Sequence, residues 1–180
     1  YKSDLTDELF LEKLFTKNKI KYVIHLAAQA GVRYSLINPR SYLKNNLIAF
    51  FNIMNVSKLN RVKHFIFAST SSVYGNPNKF PVNENFLTDK PLSFYAATKK
   101  SNEVMAYSYS NMFKLPATSL RFFTVYGPNG RPDMALYKFT EKILNRKKIE
   151  LFNNGNHIRD FSYIDDVVTY ILLLLKKPSK

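Results

Sequence analysis

His64-Phe65-Ile66-Phe67-Ala68, running directly into Ser69-Thr70-Ser71-Ser72-Val73-Tyr74-Gly75, is the stretch whose reading decides the fold. A short, almost wholly apolar run bounded by a turn predicts a buried strand, and buried strands of this kind belong to parallel sheets. Upstream, Tyr42, Leu43, Leu47, Phe50, Phe51 and Met54 fall at helical spacing, and Tyr22 to Leu26 reads as a second buried strand. Earlier still, Thr6 can cap a helix with Asp7 and Glu8 in its first turn and Phe10, Leu11, Leu14 and Phe15 on one face. Downstream come a loop rich in Pro, Asn and Gly from Gly75 to about Leu92, a helix over Ser93 to Phe113, and a strand near Ala117 to Phe122 after Pro116. A further helix follows Pro132, a short strand is expected over Ile149 to Phe152, and a last helix begins near Ile164. This alternation predicts an α/β fold, a doubly wound parallel sheet wrapped by helices. From Gly127 the loops lengthen and glycines return at Gly130 and Gly155, which places a smaller attached region at 127–180 after a main domain at 1–126.

Of 180 residues, 46% are apolar and 22% charged, ordinary globular values that exclude a disordered chain. There is no cysteine, so disulfides and thiolate metal sites are excluded, and a reducing cytoplasm suits the chain. The longest apolar run, Ile171 to Leu175, is far too short to cross a bilayer. A net charge of +14 raises the question of nucleic acid. The cations, however, sit in small groups (Lys17, Lys19 and Lys21; Lys58, Arg61 and Lys63; Arg146, Lys147 and Lys148), each just after a helical stretch. There they complement helix C-termini, and no nucleic-acid face is expected. His25, His64 and His157 lack ligand spacing, so no metal is expected, and Asp165 and Asp166 read as helix-dipole partners. Tyr42, Phe50 and Phe51 read as core.

Tyr95-Ala96-Ala97-Thr98-Lys99 carries the chemistry. Residues four apart lie one above the other on a helix, so phenol and ammonium can face one pocket. A tyrosine is a poor base at neutral pH, and a neighbouring cation favours its phenolate, which makes Tyr95 a candidate general base. The hydroxyls of Ser69 to Ser72 follow the carboxyl end of a strand, where parallel sheets bind ligands. After the first strand, Leu26-Ala27-Ala28-Gln29-Ala30-Gly31 supplies small residues that let a flat cofactor approach the backbone.

The ordered motifs HLAAQAGVRYS, STSSVYG, SFYAATKKSNEVMA, LRFFTVYGPNGRPDMAL and RDFSYIDDV resemble the extended short-chain dehydrogenase/reductases, specifically the nucleotide-sugar epimerase branch and the UDP-glucuronate 4-epimerases within it. The resemblance implies a Rossmann-like NAD-binding fold with part of a smaller carboxyl-terminal substrate lobe. It implies Thr70, Tyr95 and Lys99 as the catalytic set and Asn46 as a support for the lysine and its water. Asp4 and Leu5 resemble the adenine-contacting pair, and Leu26, Ala27, Ala28, Ala30, Ala68, Phe123 and Val125 are expected along the cofactor. Ser71 and Ser72 would line the sugar site, Arg131 and Arg159 would meet the diphosphate, Met134 and Ala135 would lie beside the uridine, and Phe152 near its base. Thr124 stands where galactose-type epimerases often carry asparagine, and with Arg33 and Ser71 it suits a sugar carboxylate. The implied reaction is reversible oxidation at C4: Tyr95 takes the hydroxyl proton, hydride passes to NAD, and the ketone turns over and takes hydride back on its other face. Thr70 would hydrogen-bond the oxygen whose charge changes.

Three alternatives remain. Dehydratases of the same fold place an Asp-Glu pair after the threonine, where Ser71 and Ser72 stand here; reductases and decarboxylases are the second group, and a non-catalytic basic binding module is the third. The resemblance also implies a homodimer for the full-length protein. Neither Gly-x-Gly-x-x-Gly nor Gly-x-x-Gly-x-x-Gly occurs. Relatives begin with a glycine-rich strand-turn-helix that receives the NAD pyrophosphate and extend further at the carboxyl end, so the chain is expected to be a fragment. The 180-residue chain on its own is therefore predicted to bind NAD weakly and to turn over little or nothing, and isothermal titration showing micromolar affinity would contradict this.

Overall fold

The computed structural model describes residues 1–156 and 158–178, and of Phe152 only the backbone. His157 lies outside the described residues. Residues 1–122 and 174–178 form one compact unit and the described residues of 123–173 another.

In the first unit, β1 (Tyr22–His25) pairs in parallel with β2 (His64–Ala68), and β2 with β3 (Ala117–Leu120), in the order β1-β2-β3. Parallel neighbours need crossovers. The first crossover runs through α2 (Tyr34–Ile37), α3 (Pro39–Tyr42), a π-helical segment (Leu43–Ile48) and α4 (Ala49–Leu59). The second runs through a 3-10 turn (Ser71–Tyr74) and α5 (Phe94–Phe113). Ser93 caps α5, its hydroxyl oxygen accepting from Ala96 N at 3.1 Å. Asp7, rather than Thr6, caps α1 (Glu8–Asn18), with its carboxylate accepting from Phe10 N at 3.0 Å. The Thr6 hydroxyl instead donates to Asp4 at 2.9 Å. A carboxylate adds charge–dipole attraction to the capping bond, which a hydroxyl does not.

One face of the sheet supplies Val23, Phe65 and Phe67 to the core, and Leu11 and Phe15 of α1, Phe50 and Met54 of α4 and Ala106 of α5 close over them. The Phe50 ring is the centre of this packing, with centroids 5.0 Å from Phe67, 5.7 Å from Phe65 and 5.6 Å from His25, all edge-on. Phe51 does not join the core as expected: it is 41% exposed. Successive residues turn by ~100° around a helix, so the two adjacent rings cannot share a face, and Phe51 meets the edge of Tyr109 instead.

Four helices are followed by basic residues in the left-handed region: Lys19 after α1, Arg61 after α4, Lys114 after α5 and Arg146 after the helix at Ala135–Leu144. Glycine usually fills such sites. With 5 glycines in the whole chain, cations take these places, where their charge also meets the carbonyl end of the dipole.

In the second unit, β4 (Thr124–Tyr126) pairs in parallel with β5 (Phe161–Tyr163). The unit also contains α6 (Ala135–Leu144) and most of α7 (Ile164–Leu175), which opens on Asp165 and Asp166. Gly127 has φ +142, and a Cβ there would collide with the Ile164 side chain. The strand expected over Ile149 to Phe152 does not form. A 3-10 turn covers Phe152–Gly155, with Asn153 and Asn154 left-handed, because the Asn-Asn-Gly sequence favours a turn and, among the described residues, β4 and β5 pair only with each other.

Truncating the central ring should be felt throughout the first unit. Phe50→Ala is expected to lower stability by about 3–4 kcal/mol in urea unfolding, and a loss below about 1 kcal/mol would contradict the packing described.

Candidate active site

At the carboxyl edge of the sheet, the loop after β1 (Leu26 to Gly31) and the segment after β2 (Ser69 to Tyr74) emerge side by side, since His25 pairs with Phe67. α5 packs against both the 3-10 turn and the π-helical segment. Its first two turns carry Tyr95, half-buried, and Lys99, 3% exposed. The Lys99 ammonium donates to the Ala68 carbonyl at 2.9 Å, anchored on the last residue of β2. Burial disfavours its charged form and holds it at about 8. His25, at the end of β1, is held at about 4 by burial and then by the charge of Lys99, so it is neutral at physiological pH.

Asn46 lies in the π-helical segment and is fully buried. Its side-chain oxygen accepts from Gln29 N at 2.7 Å, and its amide nitrogen contacts Gln29 O and Thr98 Oγ1, each at 3.1 Å. Thr98 in turn donates to the Tyr95 carbonyl at 2.8 Å. One asparagine therefore joins the loop after β1 to the turn of α5 between Tyr95 and Lys99. A π turn, with its extra residue, is a recurrent device for aiming a side chain at a functional site.

Tyr42, read from the sequence as core alone, belongs to this assembly. Its ring is fully buried and lies edge-on to Tyr95 with centroids 6.1 Å apart, and its hydroxyl donates to the Ala30 and Gly31 carbonyls. Nothing in the spacing distinguishes this tyrosine from its core neighbours; its hydroxyl is the one available signal, because a buried phenol needs a partner.

Thr70 is buried, and its hydroxyl oxygen accepts from Ser72 N at 3.2 Å and lies 3.3 Å from Ser72 Oγ. Ser71 and Ser72 are half-buried in the 3-10 turn, and Ser71 N donates to the Phe122 carbonyl at 2.8 Å. Behind this turn lies an ion pair absent from the sequence reading. Glu103 accepts from Arg121 Nε and Nη2, both at 2.9 Å, and from Ser69 Oγ at 2.6 Å. Glu103 stands four residues after Lys99, the spacing that would have pointed to it.

The remaining residues are placed as follows. Leu26 and Ala27 are exposed, Ala28, Ala30 and Ala68 half-buried. Asp4 is paired with Lys44 at 3.0 Å; the Thr6 backbone amide, then Lys44, hold its carboxyl at about 2. The Leu5 carbonyl accepts from Asn52 at 3.2 Å. Arg33 is exposed just before α2. In the second unit, Phe123 is exposed, and Thr124 and Val125 are half-buried in β4. Met134 precedes α6 and Ala135 opens it. Arg131 pairs through two nitrogens with Asp133 on the same loop, while Arg159 Nη1 donates to the Ile158 carbonyl at 2.9 Å. Among the described residues no group of acidic and histidine side chains could hold a metal ion.

The model of the NAD dependent epimerase/dehydratase family matches residues 1–180. A probable UDP-glucuronate 4-epimerase of Rhizobium meliloti is 49% identical over 97% of this chain and 51% of its own length. Among solved structures, the UDP-glucose 4-epimerase of Thermotoga maritima with UDP-glucose superposes with TM-score 0.93 at 35% identity, over 98% of this chain and 58% of that one. The UDP-glucuronic acid 4-epimerase of Bacillus cereus, in complex with UDP-glucuronic acid and NAD, gives 0.88 at 38% identity, over 96% and 55%. The chain thus spans about half the length of the curated relatives it matches, and its parallel α/β fold is Rossmann-like, as the sequence implied.

Asn46→Ala would strand the Gln29 amide and free α5 from the loop after β1. A loss of about 2–4 kcal/mol in chemical denaturation is expected, and a change below about 0.5 kcal/mol would contradict the bridging role.

Proposed function

This chain belongs to the NAD-dependent epimerase/dehydratase family, and from that premise we propose that its protein epimerises a UDP-sugar at C4, converting UDP-glucuronate to UDP-galacturonate through a transient 4-keto intermediate. The observation that carries the reading is the Lys99 ammonium, buried against the Ala68 carbonyl one helical turn from Tyr95 and beside the segment that carries Thr70. Of the family's chemistries, dehydration needs a carboxyl acid beside the threonine, and Ser71 and Ser72 cannot supply one. Glucuronate as the sugar is supported by the likeness to the Rhizobium protein and by Thr124, Arg33 and Ser71, which suit a substrate carboxylate.

The residues present fit a nicotinamide cofactor: Ala27 and Ala28 keep the loop after β1 low in profile, Leu26 offers an exposed apolar side chain, and the Lys99 ammonium has donors beyond the one given to Ala68. NAD, when bound, supplies the hydride acceptor and donor. Tyr95 takes the proton from the C4 hydroxyl oxygen and returns it to that oxygen after the ketone has turned. Lys99, held on Ala68, keeps positive charge beside the phenol so that its oxygen can part with a proton. Thr70 donates a hydrogen bond to the substrate oxygen as charge builds there. Asn46 fixes the helix turn on which Tyr95 and Lys99 stand. Asp4, Leu5, Ala30, Phe123 and Val125 complete the proposed cofactor contacts within a cofactor-binding domain at 1–126. Ser72, Arg131, Met134, Ala135, Phe152 and Arg159 complete those to the substrate, the last five in a substrate region at 127–180.

A homodimer is part of the proposal, supported by exposed Phe51 on α4 and exposed Val104 and Tyr107 on α5. None of the described helices is long and apolar enough to cross a membrane, and a cytoplasmic location is proposed from the cysteine-free composition.

With the intact enzyme and UDP-glucuronate, the product should keep its mass and differ in stereochemistry at C4 by NMR; loss of water or carbon dioxide would reject epimerisation. Tyr95→Phe should lower kcat by about 10³-fold, and a variant retaining a tenth of the activity would remove the phenol from the chemistry.

A further inference from the structure

We propose that Glu103 is a positioning residue: from α5, one turn beyond Lys99, its carboxylate tethers Ser69 and, through Arg121, Tyr74, and so fixes where Thr70 stands relative to Tyr95. The inference rests on the epimerase reading for its kinetic arm. The ion pair holds the Ser69–Tyr74 segment at both ends. At one end the hydroxyl of Ser69, a residue 4% exposed, donates to Glu103 at 2.6 Å. At the other, Arg121 Nη1 contacts the Tyr74 hydroxyl at 3.3 Å, and the guanidinium lies 5.0 Å from the Tyr74 ring centre. The same carboxylate accepts from Ser119 on β3 at 3.2 Å, and Arg121 also reaches the Glu84 carbonyl at 2.9 Å. Thr70 lies between the two tethered ends, on a segment that is also held by backbone bonds from Ser69 N to Leu120 O and from Ser71 N to Phe122 O and by the buried side chain of Val73.

A stability role alone does not account for this arrangement. The Glu103 side chain is 9% exposed and that of Arg121 21%, and removing such a pair from water offsets much of its attraction, so apolar side chains of similar size would serve a core equally well. What apolar side chains cannot do is accept from Ser69 and hold two loop ends at once. Burial pushes the Glu103 carboxyl up, and the hydrogen bonds and charge of Arg121, with Ser69 and Lys100, outweigh it and bring the carboxyl below its usual range, so the tether stays charged through neutral pH.

Two variants of the intact enzyme test this. In Glu103→Gln the amide must turn a donor toward either Ser69 or Arg121. Glu103→Leu combined with Arg121→Met replaces the pair by apolar bulk and keeps the fold. Single-turnover reduction of bound NAD by UDP-glucuronate, followed by nicotinamide absorbance, should slow by about 100-fold in rate constant in both, with NAD affinity within about threefold of wild type. A purely structural role would lower the amplitude and leave the rate constant alone, and that result overturns the proposal. Hydrogen exchange supplies an arm that needs no activity: amides of Ser69 to Tyr74 should lose protection in both variants while those of β1 keep theirs. Unchanged or uniformly altered protection overturns the tether, whereas a wild-type enzyme that does not convert UDP-glucuronate to its C4 epimer refutes the epimerase reading and leaves this arm to decide the tether.

Discussion

A lysine ammonium pressed out of water onto the last carbonyl of a central strand is the constraint around which the first unit is arranged. Lys99 is 3% exposed and its charge is answered by Ala68 O at 2.9 Å. A buried cation is tolerated when hydrogen-bonded, and even then it loses its proton more readily than in water. The surroundings respect that cost. His25, which feels the charge of Lys99, stays neutral, and Glu103 on the next turn of the helix has its charge answered by Arg121, Lys100 and Ser69. Lys99 thus keeps a hydrogen-bonded ammonium one helical turn from Tyr95, where the proposed chemistry needs it.

The helix that presents Tyr95 and Lys99 is held from two directions. Asn46, on a π turn, reaches Thr98 and the loop after β1, and Tyr42 closes the other side of that loop with its hydroxyl and lays its ring against Tyr95. The sheet beneath is rigid because β2 is central and its Phe65 and Phe67 interlock with Phe50. Rigid elements carrying a site on their ends are what the proposed oxidation and re-reduction at one carbon would require, since a displacement of about 1 Å at the reacting atoms is felt in rate.

Much of this was legible in the sequence. The strands at 22–26 and 64–68 and the long helix over 93–113 are strong signals, and each formed within a residue or two of its expected bounds, although β1 buries Val23 and His25 and leaves Tyr22 and Ile24 exposed rather than being buried throughout. Lys99 was named from its motif and Asn46 from the family resemblance, and both are buried and bonded. Other features were not legible for physical reasons. β4 and β5 are three residues each, too short for any periodicity to register, while the apolar residues at 149–152 suggested a strand that the following Asn-Asn-Gly turned aside. Tyr42 and Phe51 share a helical pattern with Phe50, and tertiary packing sent one to the site and the other to the surface. Glu103 and Arg121 are 18 residues apart, a pairing that the topology makes and the sequence does not announce.

The account depends on a lysine whose proton is loosened by burial while it stands beside Tyr95. Titrating the Lys99 amine in the isotopically labelled intact enzyme by NMR, with Lys99→Met to assign the resonance, measures this directly. A midpoint about 8 is the result expected; a midpoint near the ordinary lysine value, about 10.4, would mean that the ammonium lies in water, and the chemistry assigned to the pair would fall with it.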